Sequence, residues 1–184
     1  MISESTLKAI ENAKDLLSDV PGGVETAMMR AFNRALTQGR TAGTRAVTKS
    51  HTVKAKTVRP TFKMYKARRQ NLYAELVSRG KNLPLSSFTF RPKTDTTGNK
   101  RKPVRVQVKK SSGLKPVDRG FVFKGQIFQR LGKPRLPIYP AFGPSAPGML
   151  NNEKVIKAVS ETMGESVEKR LEHETKRLLE KHKG

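Results

Sequence analysis

The sequence predicts an α+β fold: two N-terminal helices, a central antiparallel or mixed sheet of about six strands, and one long C-terminal helix. Three observations carry this expectation. Apolar and small residues recur at three- and four-residue spacing through the first fifty positions, and the period changes to strict alternation at Thr61. A four-residue stripe, Val155, Val159, Met163, Val167 and Leu171, then returns the chain to helix.

The elements follow in order. Ser3 or Ser5 is placed to cap a first helix reaching about Asp19, with Leu7, Ile10, Ala13 and Leu17 on one face and Pro21-Gly22-Gly23 as its stop. A second helix runs from about Val24 to Lys49. Its stripe of Val24, Ala27, Met28, Ala31, Ala35, Gly39, Ala42 and Ala46 becomes almost wholly small, which allows close approach of a neighbour. Gly39 and Gly43 each weaken a helix interior by about 1 kcal/mol against Ala, which leaves room for a kink or break near them. Thr52 is read as the cap of a short turn, Val53–Val58, ended by Arg59-Pro60. Lys49, His51, Lys54, Lys56 and Arg59 make that turn either a phosphate contact or a solvated basic surface.

Strands are expected where Phe62 and Met64 share a face, and where Leu72, Ala74 and Leu76 share another after a turn at Arg68–Asn71. Leu83, Leu85, Phe88 and Phe90 follow. Arg91–Pro103 has ten polar or charged side chains and no other apolar residue than its prolines, as an exposed hairpin tip or a mobile loop that orders against a partner would. Val104, Val106 and Val108 alternate with polar residues in a half-buried strand. In Phe121–Phe123 and Ile127–Phe128 the large residues are dense enough for strands on a core. Pro137 and Pro140 restrict Leu136–Phe142 to an edge or terminal strand, because proline has no amide to donate. Gly143-Pro144-Ser145-Ala146-Pro147-Gly148 then reads as a stiff connector into the last helix, capped by Asn151 or Asn152, whose stripe resumes at Leu178 after a polar gap at Thr175. That stripe suits packing on a sheet face.

With 184 residues the chain is expected to form a single domain, 1–184: an N-terminal helix over 1–20, a helix-plus-sheet body over 24–150 with a basic loop at 91–103, and a C-terminal helix over 151–184. Its mean hydropathy of -0.62 is polar but leaves enough apolar residues for a core. Cysteine is absent, which excludes disulfides and thiolate chemistry. No apolar run approaches the roughly 20 residues that span a bilayer, and the N-terminus has no signal-peptide pattern, so a soluble, non-secreted protein without membrane contact is expected.

The net charge is +23, and its distribution is uneven. Between Arg30 and Lys110 lie 22 Lys/Arg against only Glu75 and Asp95, whereas residues 151–184 carry 8 Lys/Arg and 7 Asp/Glu on what looks like a solvated, mixed face. A block this one-sided repels itself unless a polyanion or an acidic protein lies opposite. Candidate contacts to such a partner are Arg30, Arg34, Arg40, Arg45, Lys54, Lys56, Arg59, Arg68, Arg69, Lys100, Arg101 and Lys102. Tyr65, Tyr73, Phe88 and Phe90 are interleaved with basic residues as stacking platforms would be, but their alternation favours core packing for Phe62, Phe88 and Phe90. No paired carboxylates, phosphate loop or histidine-based metal set is present; His51, His173 and His182 are scattered. No enzyme activity and no cofactor are expected.

Three blocks resemble the prophage minor tail protein Z family. They are Arg30-Ala31-Phe32-Asn33-Arg34-Ala35 with Arg40-Thr41-Ala42, then Leu83-Pro84-Leu85-Ser86-Ser87-Phe88, then Ile138 to Met149 around Gly143-Pro144-Ser145-Ala146-Pro147. They keep their order over roughly residues 25–175. The resemblance implies a structural virion protein that completes the tail of a long-tailed phage. It implies a homo-oligomeric ring, sixfold to match the tail, between the tail terminator or tube and the head connector, around the channel for packaged DNA. The stiff segment of Pro137, Pro140, Gly143, Pro144 and Pro147 suits such an assembly as a docking segment, or else braces this chain internally. The alternative reading is a basic nucleic-acid-binding protein acting through residues 30–110.

Overall fold

The computed structural model describes residues 3–96, 103–132 and 134–183. The fold is α+β, and the chain divides into two compact units: Met1–Gly43 with Phe62–Val77 and Asn152–Gly184, and Thr44–Thr61 with Ser78–Asn151.

The first unit is built on helices α1 (Glu4–Leu16), α2 (Gly23–Ser50, which continues into the second unit) and α5 (Glu153–Lys183). Ser3 caps α1 by accepting from the Thr6 amide at 3.3 Å, and the Asn152 side chain accepts from the Lys154 amide at 3.0 Å to start α5. Ala13 and Leu17 of the first helical segment, Ala27, Met28, Ala31 and Ala35 of α2, and Val167 and Leu171 of α5 form one buried cluster. The stripe on α5 therefore packs against other helices, where a sheet face was expected. On α1 the inward face is rotated from the expected one: Thr6 is buried and Leu7 is half exposed.

No break interrupts α2 between Gly23 and Ser50. Gly39 serves close approach instead. A Cβ there would come within 2.5 Å of Met163 Sδ and 3.0 Å of Leu76 Cδ2. Gly39→Ala is thus expected to destabilise by about 1 kcal/mol in urea unfolding, the over-packing of Met163 outweighing the gain in helix propensity. An increase in stability would show that Met163 simply moves aside. Strands β1 (Phe62–Tyr65) and β2 (Glu75–Ser78) make a two-stranded sheet, with Phe62 and Met64 partly buried and Lys63 and Tyr65 outward, as the alternation predicts.

The second unit holds the remaining strands in small antiparallel sheets rather than one continuous sheet. β3 (Asn82–Pro84) pairs with β10 (Phe142–Ser145). β4 (Thr89–Arg91), β5 (Arg105–Gln107) and β6 (Lys115–Pro116) form a second sheet in that order. β4 and β5 pair antiparallel through Arg91↔Arg105; of the exposed tip or loop expected between them, residues 97–102 lie outside the described residues. Its first leg is not a free loop. Thr96 is buried, its amide donates to the Val122 carbonyl at 3.0 Å, and its Oγ1 accepts from the Val122 amide at 2.8 Å.

β7 (Gly120–Phe123), β8 (Gln126–Arg130) and β9 (Ile138–Pro140) form the third sheet, with proline-bearing β9 at its edge. Lys124 and Gly125, with φ of 48° and 73°, close the β7–β8 hairpin; two successive positive φ values match the strand twist. Val104, Val106, Phe121, Val122 and Ile127 are buried, and so are Phe88 and Phe90.

Two local expectations change here. Thr52 does not cap a helix: α3 spans Ala55–Val58 with Lys54 before it. The Thr52 hydroxyl instead donates to the Gln107 carbonyl and accepts from the Thr89 amide, tying β4 to β5. The proline-rich connector is regular structure. Phe142–Ser145 is strand, and Ala146–Leu150 is helix α4, capped by the Ser145 hydroxyl accepting from the Gly148 amide at 3.1 Å.

Candidate functional site

The basic residues singled out in the sequence separate into several places. In the first unit, Arg30 and Arg34 stand one turn apart on α2, with Arg40 further along, while exposed Arg68 and Arg69 lie in the turn between β1 and β2. In the second unit, Arg45 is exposed on the last turns of α2, and Lys54, Lys56 and Arg59 are exposed around α3. Lys100, Arg101 and Lys102 lie outside the described residues.

His51 does not belong to the exposed basic set. It is 8 % exposed, bridges to Lys109, and shares a 2.8 Å hydrogen bond with the Ser50 hydroxyl through Nδ1. Burial and then the nearby Lys109 charge push its pKa below the ordinary histidine value, so it contributes no charge to the surface at neutral pH.

The most organised charge cluster forms around a residue the sequence reading took for one more solvated acid. The Glu174 side chain is fully buried on α5. Its Oε2 accepts from Arg30 Nη1 at 2.7 Å, and Arg177 Nη1 stands 3.5 Å away. Oε1 has no aligned hydrogen-bond donor and is held by charge, with Arg170 Nη2 at 2.6 Å. Burial, the largest influence, pushes the Glu174 pKa up; the Arg30 hydrogen bond and the charges of Arg170, Arg30 and Arg177 together outweigh it and leave it lowered. The carboxylate is therefore ionised and orients the arginines around it. The signal was present in the spacing, since position 174 falls three residues after Leu171 and four before Leu178, on the buried stripe.

Above this cluster α2 and α5 leave an open groove of about 380 Å³, lined by Arg34, Gln38, Thr162, Lys169, Arg170 and His173 among others. An adjoining hollow is lined by Arg30, Asn33, Arg34 and Arg170. Two sequence-predicted contacts, Arg30 and Arg34, thus converge with Lys169, Arg170 and His173, which sequence reasoning assigned no role.

On the other side of α5, Glu168 Oε1 accepts from the hydroxyls of Ser5 and Thr6, each at 2.7 Å, and clamps α1. These bonds, that of Thr6 first, lower the Glu168 pKa.

The expected docking segment divides by exposure. Pro137 and Pro140 are exposed beside Leu131, Leu136, Ile138, Tyr139 and Phe142, large apolar residues left open to solvent. Gly143, Pro144 and Pro147 are half-buried. A Cβ at Gly143 would fall 2.9 Å from Phe88 Cε2, so this glycine is required by packing within the unit.

Phe88 and Phe90 are core residues, which removes them as stacking platforms; Tyr65 and Tyr73 remain exposed. Among the described residues no group of His, Asp or Glu is arranged to hold a metal ion, and no helix is long and apolar enough to cross a membrane. Compared with known proteins, residues 7–182 match the family model described as prophage minor tail protein Z (GPZ). No curated protein and no solved structure matches.

Proposed function

The chain belongs to the prophage minor tail protein Z family and is a structural protein of the phage tail, and on that premise we propose that it is a tail-completion subunit. In this reading it forms a ring, sixfold like the tail, at the head-proximal end, and joins the tail terminator or tube to the head connector around the DNA channel. The observation that carries the reading is the extent of the family match, which takes in both compact units.

The structure supports a part that works by binding proteins. Exposed Leu131, Leu136, Ile138, Tyr139 and Phe142 lie on and around the edge strand β9, where Pro137 and Pro140 disfavour strand addition and leave side chains to dock. The exposed cations Lys54, Lys56 and Arg59 of the second unit suit an anionic neighbour, either packaged DNA or an acidic protein surface. The free nucleic-acid-binding reading keeps those cations but loses its aromatic platforms at Phe88 and Phe90.

Electron microscopy of particles assembled without this chain is expected to show full heads separate from finished tails, and quantitative mass spectrometry of purified virions is expected to find six copies. Normally joined particles in the absence of the chain would overturn the reading.

A further inference from the structure

We infer that the basic groove between α2 and α5 is the receptor for the acidic outer face of α1 from a second copy of this chain, so that copies link head to tail. The inference rests on the ring proposed above and names the surfaces that would close it.

The groove is oriented for a carboxylate row. Arg34 of the groove and Arg30 of the adjoining hollow on α2, and Lys169 and His173 on α5, are each spaced four residues apart, about 6 Å along a helix. Buried Glu174 holds Arg30 and Arg170 in place through contacts of 2.7 and 2.6 Å. Arg34 is exposed and has no ion pair among the described residues. The groove is not uniformly basic, because Glu165 stands on its wall 3.9 Å from Lys169. A continuous phosphate backbone would meet that carboxylate. A helix carries only discrete carboxylates, about 6 Å apart at four-residue spacing.

The chain carries such a helix. Within Glu4–Leu16 it holds Glu4, Glu11 and Asp15 against Lys8 and Lys14, with Lys8 paired to Glu4 at 2.9 Å, in a protein of net charge +23. Glu11 and Asp15 are exposed, four residues apart, and without ion pairs among the described residues. Exposed Leu7 and Leu16 flank them. Acidic residues on a strongly basic protein would gain most from internal pairing, yet these two pair with no described basic residue, Lys8 and Lys14 of the same helix included.

The geometry within the helical unit excludes self-docking. α1 is fixed to α5 through Thr6 and Glu168. At about 100° per residue, Lys169 and His173 stand about 100° and 140° around α5 from Glu168, and Glu11 and Asp15 stand about 140° and 180° around α1 from Thr6. Both rows therefore point outward in different directions, and only another copy brings them together. Two complementary but different surfaces on one subunit make a heterologous contact, the kind that closes into a ring when the rotation permits.

The test uses two full-length variants, Arg34→Glu with Lys169→Glu, and Glu11→Lys with Asp15→Lys, followed by sedimentation across a range of protein concentrations. All four positions are exposed, so folding should survive, and circular dichroism checks that. Each variant alone is expected to need at least tenfold higher concentration than the wild type to associate. An equimolar mixture is expected to restore association, because reversed groove meets reversed helix and native groove meets native helix around the ring. Wild-type association unaffected by either variant, or no rescue on mixing, would overturn this interface while leaving the ring intact. A wild-type chain that stays monomeric at every concentration would overturn the ring and the interface together. If the groove variant lost duplex-DNA binding and associated normally, the groove would be a DNA contact and the inference would fail.

Discussion

Glu174→Gln is expected to lower the unfolding free energy by about 3 kcal/mol, the low end for breaking a buried ion pair. The carboxylate is fully buried and meets Arg30 and Arg170 at 2.7 and 2.6 Å. Its removal leaves three arginine side chains crowded together without a counter-charge. The loss stays at the low end because the side chains of Arg30, Arg170 and Arg177 remain 34 %, 37 % and 55 % exposed and can recover hydration.

The pH dependence gives an independent check. Glu174 has a folded-state pKa below the ordinary 4.5, so its stabilising contribution is present above that value and is lost as pH falls through the lower folded-state value. The gap in stability between wild type and Glu174→Gln is expected to be constant from pH 7 to 5 and to close in more acidic solution. Glu168, whose pKa is also lowered, titrates in the same range in both proteins and cancels in the difference. Denaturant unfolding at several pH values measures this, and a gap that widened on acidification would contradict the assignment.

Asn33→Ala is expected to destabilise by about 2 kcal/mol, since two backbone groups of one residue lose their partners. The Asn33 amide nitrogen donates to the Ala67 carbonyl at 3.0 Å, and its Oδ1 accepts from the Ala67 amide at 2.9 Å. Ala67 is buried just after β1, so water replaces neither bond easily. Asn33→Asp should be no rescue, because it keeps the acceptor for the Ala67 amide but sets a carboxylate against the Ala67 carbonyl. Stability of either variant within 0.5 kcal/mol of wild type, about the scatter of surface substitutions, would show that the hairpin is held by other contacts. Asn33 lies in the first of the three family blocks, where the flanking arginines drew attention by their charge and the asparagine performs a packing task.

Much of the architecture was legible because it depends on near neighbours. The caps at Ser3 and Asn152, the alternation of Phe62 with Met64 and of Val104 with Val106, and the edge position of proline-bearing β9 each follow from a few consecutive residues. The expectation at Thr52 failed for the opposite reason. Its hydroxyl chose partners 37 and 55 positions away over the local amide it was expected to cap. Likewise, the Gly143–Gly148 connector became strand and helix because β3, about sixty residues earlier, offered an edge to pair with.

The candidate site shows the same division. Arg30 and Arg34 were selected from charge density alone, and the structure places them together. Lys169, Arg170 and His173 were hidden in a helix whose positive and negative residues nearly balance. A balanced count cannot reveal that one acid is turned inward and its neighbours outward.

By itself, then, the sequence determined the element types, the α+β order, the basic middle segment and the family, all of which reside in local periodicity, composition and short blocks. Only the tertiary structure decided which charges are surface and which are core, and how the strands divide among sheets. Glu174 and Arg30 are 144 residues apart in the chain and 2.7 Å apart in space, and desolvation and Coulomb attraction act on the second distance alone.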